Sequence, residues 1–350
     1  MTTSARYFVG IDLHKSVIQV CVLDSSGGTV ASRRSTGTTL ESGQELVEEL
    51  TEWRDGGKFC VEAVGMNRWF VDACRAAGLE IVVADPVKLG LKSSGKKTDR
   101  RDAHEIARRL WLGDIERHAK TYYPSDEEYG GRKIERVRHK LVSIRQQLVN
   151  QLRGLLNAYR IAAPRGELYS VKNLRALRAT KMPTQALEIC RDCMVDALTA
   201  VAAEIEKLNK ELATVAKQPK VRALIESLPS VGPQTATTIL CELGDVSRFT
   251  GPKAVAAYAG LAPRVAMSAD KGHHGPITKR GNNELRWILS EWAVRLLSRH
   301  ETVRAWAAPR LRRMHKNKVR VALARRLLVG VYVMLSRGDA FSLERCLSTR

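Results

Sequence analysis

The first 115 residues alternate short apolar runs with polar turns and amphipathic segments. Residues 5–24 predict two strands, YFVGID and VIQVCVLD, and a Ser-Ser-Gly-Gly turn leads to a third, TVASRRS. The strands KFCVEAV and LEIVVADP then alternate with helices predicted over 41–53, 67–77 and 99–112. Close spacing favours an antiparallel meander for the first three strands, and the later alternation favours parallel pairing. This order fits a ribonuclease-H-like α/β domain over residues 1–115.

Residues 116–220 carry two long apolar series at near-heptad spacing. The series are Ile134, Val137, Leu141, Ile144, Leu148, Leu152 and Leu155, and Leu187, Met194, Leu198, Val201, Ile205, Leu208, Leu212 and Val215, with one gap at 191. Pro164 and Pro183 bracket the connection between them. We expect a long helical, coiled-coil connector, which forms either an antiparallel hairpin within the chain or a contact between chains.

The remainder, residues 221–350, predicts a mostly helical C-terminal domain. Its segment LPSVGPQTATTILCELGDVSRF, residues 228–249, places a small turn at Gly232 between apolar helical segments and resembles a helix-hairpin-helix. Backbone N–H groups at such a turn, near Gly232 and Thr235, can bind a DNA phosphate without reading sequence. An ordinary helix turn is the alternative.

The charge of the chain indicates a polyanionic partner. The formal net charge is +21, and residues 301–327 hold nine basic residues against one acid, Glu301. Nucleic acid is the favoured partner, and phosphate contact is favoured for the 301–327 run. No apolar run is long enough to span a bilayer, and no signal peptide is recognisable at the N-terminus, so we expect a cytoplasmic, nucleoid-associated protein without a membrane partner. Seven scattered cysteines argue against a disulfide framework, and the Cys190–Cys193 pair is interpreted as part of a helix.

Four acids are candidate metal ligands. Asp12 and Glu62 end predicted strands, and Asp99 and Asp102 are three residues apart on one face of a helix. Carboxylates gathered at one point need cations, and hard oxygen ligands suit Mg²⁺ or Mn²⁺. Two such ions can activate one oxygen and stabilise another in phosphodiester displacement. Singly, each acid is equally consistent with a cap or a surface residue. The G-I-D opening also suits actin-like ATPases, but the glycine-rich phosphate loops of those folds are missing from the sequence.

A second candidate lies in YAGLAPRVAMSADKGHHGPITKRGNNELRWIL. Ser268 stands in a polar stretch between Arg264 and Lys271, with Lys279 and Arg280 farther on. These cations are candidates for phosphate contact, and they could help a serine hydroxyl attack phosphorus. From the residues alone, Ser268 is one serine among many in a glycine-rich stretch, and a loop role is its default interpretation.

Four motifs together resemble the DEDD transposases of bridge-RNA-guided insertion sequences. They are G-I-D-L-H-K at 10–15, V-E-A at 61–63, K-T-D-R-R-D-A at 97–103, and G-L-A-P…S…G-P-I-T-K-R-G-N…L-R at 260–286. The order and spacing match over nearly the whole chain. The resemblance implies a RuvC-like N-terminal domain, a coiled-coil connector and a C-terminal transposase domain.

The resemblance also implies roles for residues. Asp12, Glu62, Asp99 and Asp102 would bind metal, and Ser268 would be a nucleophile that makes a covalent phosphoserine link to DNA. Acids and serine from different subunits would form a composite site, in a dimer or a tetrameric synaptic complex. A structured bridge RNA would pair with donor and target DNA. Whereas the family's serine is followed by glycine, Ala269 follows Ser268 here.

Two other functions remain open from the sequence. A Holliday-junction-type nuclease would use metal-activated water with no covalent serine. A non-catalytic nucleic-acid-binding protein would keep the fold without the chemistry. The C-terminal block argues against the first, and the four acids at apt spacing argue against the second.

Overall fold

The long apolar and amphipathic runs fold into two units, residues 1–123 and 124–350, in a computed structural model. The structure describes residues 5–36, 39–65, 67–89, 98–215, 219–268 and 271–348. Within the described helices, none combines the length and the apolar character needed to cross a membrane. The division at 115 and 220 expected from the sequence stays a prediction.

The N-terminal unit is built on a six-stranded sheet with the strand order β3-β2-β1-β4-β5-β6. Its elements are β1 (Tyr7–Leu13), β2 (Val17–Asp24), β3 (Thr29–Thr36), α1 (Leu40–Leu50), β4 (Gly57–Glu62), α2 (Arg68–Ala76), β5 (Ile81–Ala84), α3 (Pro86–Leu89), α4 (Asp99–Trp111) and β6 (Lys120–Thr121).

The directions of the strands confirm the predicted mixed sheet. The first three form an antiparallel meander, and β4 and β5 run parallel to β1. This is the ribonuclease-H-like arrangement. The sequence does not predict β6, which pairs antiparallel with β5 over only two residues. Such a short pairing has no periodicity to detect.

The core of this unit explains the apolar runs. β1 and β2 are buried over most of their length, because both are central strands covered on each face. β3 alternates between half-buried and exposed positions, as an edge strand does. Helices α1 and α2 pack on the sheet with the apolar residues of β1, β2 and β4.

The C-terminal unit is helical apart from one hairpin. Its elements are α5 (Asp126–Ala158), α6 (Val171–Ala179), α7 (Gln185–Val215), α8 (Pro219–Glu226), α9 (Pro233–Leu243), α10 (Pro252–Tyr258), β7 (Pro263–Ser268), β8 (Lys271–Ile277), α11 (Asn283–Arg299), α12 (Glu301–Leu311), α13 (Lys316–Arg337) and α14 (Leu343–Ser348).

The two near-heptad series lie on α5 and α7, which pack against each other within the chain. Leu152 and Leu156 of α5 and Val195 and Leu198 of α7 are fully buried in one cluster with α6. The gap in the second series is Arg191, which is buried and donates hydrogen bonds to the Thr180 carbonyl and the neighbouring Asp192 carboxylate. The hairpin alternative therefore describes these helices, and a coiled-coil contact between chains stays a prediction.

The remaining helices form a second core around α11 and α13. Trp292 of α11 and Leu323, Leu327 and Val331 of α13 are fully buried there. The β7–β8 hairpin connects α10 to α11 beside this core. The sequence favours a loop for this stretch, because neither PRVAMS nor KGHHGPI alternates apolar and polar residues as a detectable strand does.

Candidate metal centre and C-terminal serine hairpin

Asp12 and Glu62 stand on neighbouring parallel strands at the same edge of the sheet. Ile11 of β1 pairs with Val61 of β4, and the two acids are the next residues along. The carboxyl ends of parallel strands meet at one edge, so the predicted pairing of strand-end acids follows from the register. Asn67 donates a hydrogen bond to the Glu62 carbonyl at 3.0 Å and so holds the backbone at the end of β4 in place.

Helix α4 brings the other two acids to the same strand end. It crosses β1 so closely that a Cβ at Gly10 would lie 2.2 Å from the Ala103 carbonyl oxygen and 2.3 Å from the Ala107 nitrogen. Only glycine permits that approach, and Ala103 and Ala107 are fully buried beneath it. Asp99 and Asp102 lie in the first turn of α4, where the helix dipole favours acids. The glycine of the G-I-D motif therefore helps to build the site.

The electrostatics of Asp12 reflect all three other acids. Asp12 is 3% exposed, and the pKa of its carboxyl is raised to about 6, mainly by burial, with His14 lowering it and Asp102, Glu62 and Asp99 contributing to the rise. Burial disfavours a lone carboxylate, and like charges within a few ångströms add to the cost. A divalent cation would relieve both effects.

His14 is the residue that the sequence analysis missed. Its Nε2 lies 3.1 Å from Asp12 Oδ2 and 3.7 Å from Asp99 Oδ1. Ligand atoms of Asp12, His14 and Asp99 all lie within 4.8 Å of one another. The available signal was the Asp-x-His spacing at a strand end, since alternate residues of a strand share a face.

The donor set fits a divalent metal. Two carboxylates and an imidazole within 4.8 Å are donors that Mg²⁺ or Mn²⁺ can accept. Glu62 and Asp102 are close enough to act on the charge of Asp12. The observed donors thus support divalent-metal use without selecting the ion.

The serine block forms the β7–β8 hairpin. Ser268 ends β7, and its backbone pairs with that of Lys271 at the start of β8. The side chains of Arg264, Ser268 and Lys271 lie outside the described part of the structure, as does the whole of Ala269.

After the hairpin, the predicted cations Lys279 and Arg280 are both exposed. Lys279 has a φ of +52°, and Gly281 has a φ of +129°. A Cβ at Gly281 would meet the Tyr258 carbonyl oxygen at 2.3 Å, so the turn requires glycine there.

A buried polar network supports this turn. Asn282 caps α11 by accepting a hydrogen bond from Leu285 N, and its Nδ2 donates to Glu242 Oε2 at 2.6 Å. Glu242 of α9 is fully buried and accepts two hydrogen bonds from Arg136 of α5, at 2.8 and 2.9 Å. The network joins α5, α9 and α11 beside the end of the hairpin. The sequence does not predict this network, because its three partners are far apart along the chain.

The turn around Gly232 joins α8 to α9. Gly232 is the N-cap of α9, followed by Pro233 at its first position. Thr235 is buried, and its hydroxyl accepts a hydrogen bond from Arg295 at 2.9 Å. Because the Thr235 hydroxyl is already bonded, a phosphate at this turn would contact backbone N–H groups. The helix-hairpin-helix interpretation stays a prediction.

Comparisons with known proteins support the resemblance to transposases that the four sequence motifs indicate. A DEDD family model described as "Transposase" matches residues 9–161, and one described as "Transposase IS116/IS110/IS902 family" matches residues 222–308. The transposase for insertion sequence element IS1111A of Coxiella burnetii is 26% identical over 95% of this chain and 90% of its own length. A probable family 20 transposase of Pseudomonas aeruginosa is 28% identical over 95% and 98%.

A solved structure, Thermus thermophilus RuvC, aligns with 33% of this chain and 99% of its own, at 13% identity and a TM-score of 0.26. That similarity is too low to carry an argument, and the fold assignment rests on the strand order. The two family models and the curated relatives define the class as transposases, which catalyse DNA strand transfer. Within that class, the chain belongs to the IS110/IS116 family of insertion-sequence transposases.

Proposed function

We propose that this transposase cleaves and rejoins DNA through a metal–carboxylate site of Asp12, Glu62, Asp99 and Asp102 and a covalent link to Ser268. The observation that carries the proposal is the buried Asp12, whose pKa is raised to about 6 by burial and by the three other acids. So unfavourable an arrangement of like charges is typical of sites tuned for function.

The acids would hold Mg²⁺ or Mn²⁺, with His14 as a further ligand or as the group that orients Asp12. Bound divalent ions supply charge stabilisation at the attacking and leaving oxygens of a phosphodiester. The strand ends and the first turn of α4 hold the carboxylates in place, so the site is preorganised for the reaction.

The proposed covalent step conserves the energy of the broken bond. The Ser268 oxygen forms a bond to phosphorus as the bond from phosphorus to one sugar oxygen breaks. The serine proton passes to a base or to water, and the departing sugar oxygen takes up a proton. Rejoining reverses these steps with a different sugar hydroxyl, so no ATP is needed. Water attack would instead leave a nick.

The partners follow from the family resemblance. Donor and target DNA would be paired by a structured bridge RNA, and acids and serine would come from different subunits of a dimer or tetramer. Exposed Lys279 and Arg280, with Arg264 and Lys271 of the hairpin and the backbone at Gly232 and Thr235, are the proposed nucleic-acid contacts. The net charge of +21 supports a polyanionic partner such as these nucleic acids.

The test is a covalent adduct on a denaturing gel. Wild-type protein with its flanking RNA, donor and target DNA and Mg²⁺ should give a protein–DNA adduct, and Ser268→Ala should give none while still binding both nucleic acids. Ser247→Ala is the control, because Ser247 is exposed and its hydroxyl donates a hydrogen bond to the nearby Asp245 carboxylate. Recombination by Ser268→Ala would reject the serine. Cleavage by wild type with no adduct would favour the nuclease that uses water.

A further inference from the structure

The basic run at residues 301–327 has no role in the proposed chemistry. It covers α12, the turn after it and the first half of α13. Its nine basic residues are Arg304, Arg310, Arg312, Arg313, Lys316, Lys318, Arg320, Arg325 and Arg326. Glu301, at the start of α12, is the single acid in the run.

Within the described ranges, none of these nine cations lies within salt-bridge distance of an acid, although several donate hydrogen bonds to backbone carbonyls. The N-terminal unit differs, since Arg33 bridges Glu49 and Glu52 at 2.9 Å each and Lys58 bridges Glu116 at 2.7 Å. Uncompensated charge on this scale raises the local positive potential and attracts a polyanion.

The charge is concentrated at one exposed turn between two helices. Residues 311–318, here called the basic corner, form the end of α12, the turn and the start of α13, and every one of them is exposed. The corner presents Arg312, Arg313, Lys316 and Lys318 within seven positions. Two large apolar side chains stand among them, since Leu311 is 49% exposed and Met314 is 39% exposed.

The backbone adds to the same potential. The 22-residue α13 begins at Lys316, with His315 as its N-cap, so its positive dipole end lies at the corner. His315 Nδ1 accepts a hydrogen bond from Asn317 N at 3.2 Å. The body of α13 packs in the core through Leu323, Leu327 and Val331, so the corner begins a helix that the core holds in place.

We infer that the basic corner is a docking surface for duplex DNA. The four clustered cations suit backbone phosphates, and the apolar Leu311 and Met314 suit sugar and base-methyl surfaces. The roughly 12 Å major groove of B-DNA admits an exposed helix end, whereas the deep, narrow major groove of A-form RNA does not. The inference deepens the proposed function, on which it rests, by naming a surface that would hold its DNA away from the reacting groups.

The test compares two full-length variants that each lose four positive charges. The corner variant is Arg312→Ala, Arg313→Ala, Lys316→Ala and Lys318→Ala. The control variant is Arg153→Ala, Lys172→Ala, Arg175→Ala and Lys210→Ala, which removes two arginines and two lysines that are also exposed on the same unit. The Kd for a labelled DNA duplex is measured from about 50 to about 300 mM salt, the range over which phosphate contacts are resolved, in EDTA so that no cleavage occurs.

The salt dependence separates a specific surface from net charge. Each lost phosphate contact lowers the slope of log K against log salt by about 0.9 for duplex DNA. The corner variant should lose about 3 to 4 in slope, and the control variant should stay close to wild type. Equal changes in both variants, or none in the corner variant, would overturn the inference.

A duplex RNA of the same sequence is the second arm. Loss of RNA affinity with DNA affinity retained would assign the corner to RNA and overturn the inference. The outcomes are independent of catalysis. If wild type makes no adduct, the serine mechanism fails while the corner result stands. If wild type recombines and the corner variant binds DNA normally, only the docking surface is lost.

Discussion

Replacing Asp12 with asparagine should make the N-terminal unit more stable in metal-free buffer above pH 6, while it removes the response to metal. Asparagine has nearly the shape of the protonated acid but cannot ionise. At neutral pH the wild type carries a buried charge at this position, and the variant does not. The expected gain in stability therefore measures how much the buried charge of Asp12 destabilises the metal-free protein.

The magnitude follows from the pKa. The carboxyl of Asp12 titrates with a pKa of about 6 in the folded protein against an ordinary value of 3.8, and each pKa unit corresponds to about 1.36 kcal/mol. The folded state binds more protons than the unfolded state in this window, so the free energy of unfolding falls as pH rises from about 4 to above 6. The total is about 3 kcal/mol. Asp12→Asn lacks this loss, so its advantage over wild type should grow with pH to about that value.

Metal should reverse the order. Mg²⁺ or Mn²⁺ at about 1,000 times its Kd would stabilise wild type by about 4.1 kcal/mol, which exceeds the advantage of the variant, and the variant should gain little. Denaturant unfolding is monitored through hydrogen exchange of peptides from β1 and β4, which reports on the stability of the N-terminal unit in the full chain. Asp55→Asn is the control, because that carboxyl is almost fully exposed. A stability difference between Asp12→Asn and wild type that stays constant from about pH 4.5 to about pH 7.5 would refute the reasoning.

Three further outcomes follow from packing. Gly10→Ala places a Cβ 2.2 Å from a backbone oxygen of α4, so it should cost about 3 kcal/mol or more and abolish the metal response, whereas Gly65→Ala, with no atom within 4 Å, should do neither. Glu242→Ala should cost about 1 to 3 kcal/mol by removing a buried hydrogen-bond acceptor of the Asn282 amide, since the half-exposed Arg136 guanidinium can be solvated, and Glu242→Gln should cost less; denaturant midpoints of the C-terminal unit measure both. Leu152→Ala should open a cavity between α5 and α7 and cost about 2 to 5 kcal/mol in the same assay.

Local periodicity accounts for most of what could be predicted. The meander, the parallel strands and the long helices all leave repeating apolar positions over at least one strand or two helical turns. The strand-end acids could be paired from the sequence alone, because parallel strands in one sheet present the same ends to the same edge. Where periodicity is absent, as in the two-residue β6 and the polar β7–β8 hairpin, the prediction failed.

The sequence by itself determined the order of elements, the sign of the charge and the acids that stand at strand ends. Only the tertiary structure decided that α5 and α7 pair within the chain, that His14 joins Asp12 and Asp99, and that Glu242 is buried against Arg136 and Asn282. The reason is one of distance along the chain. Periodicity and motif spacing encode contacts within a few residues, whereas closeness between Gly10 and α4, or between α5 and α9, depends on which surfaces exclude water together. That choice belongs to the whole unit and is recorded in no local segment.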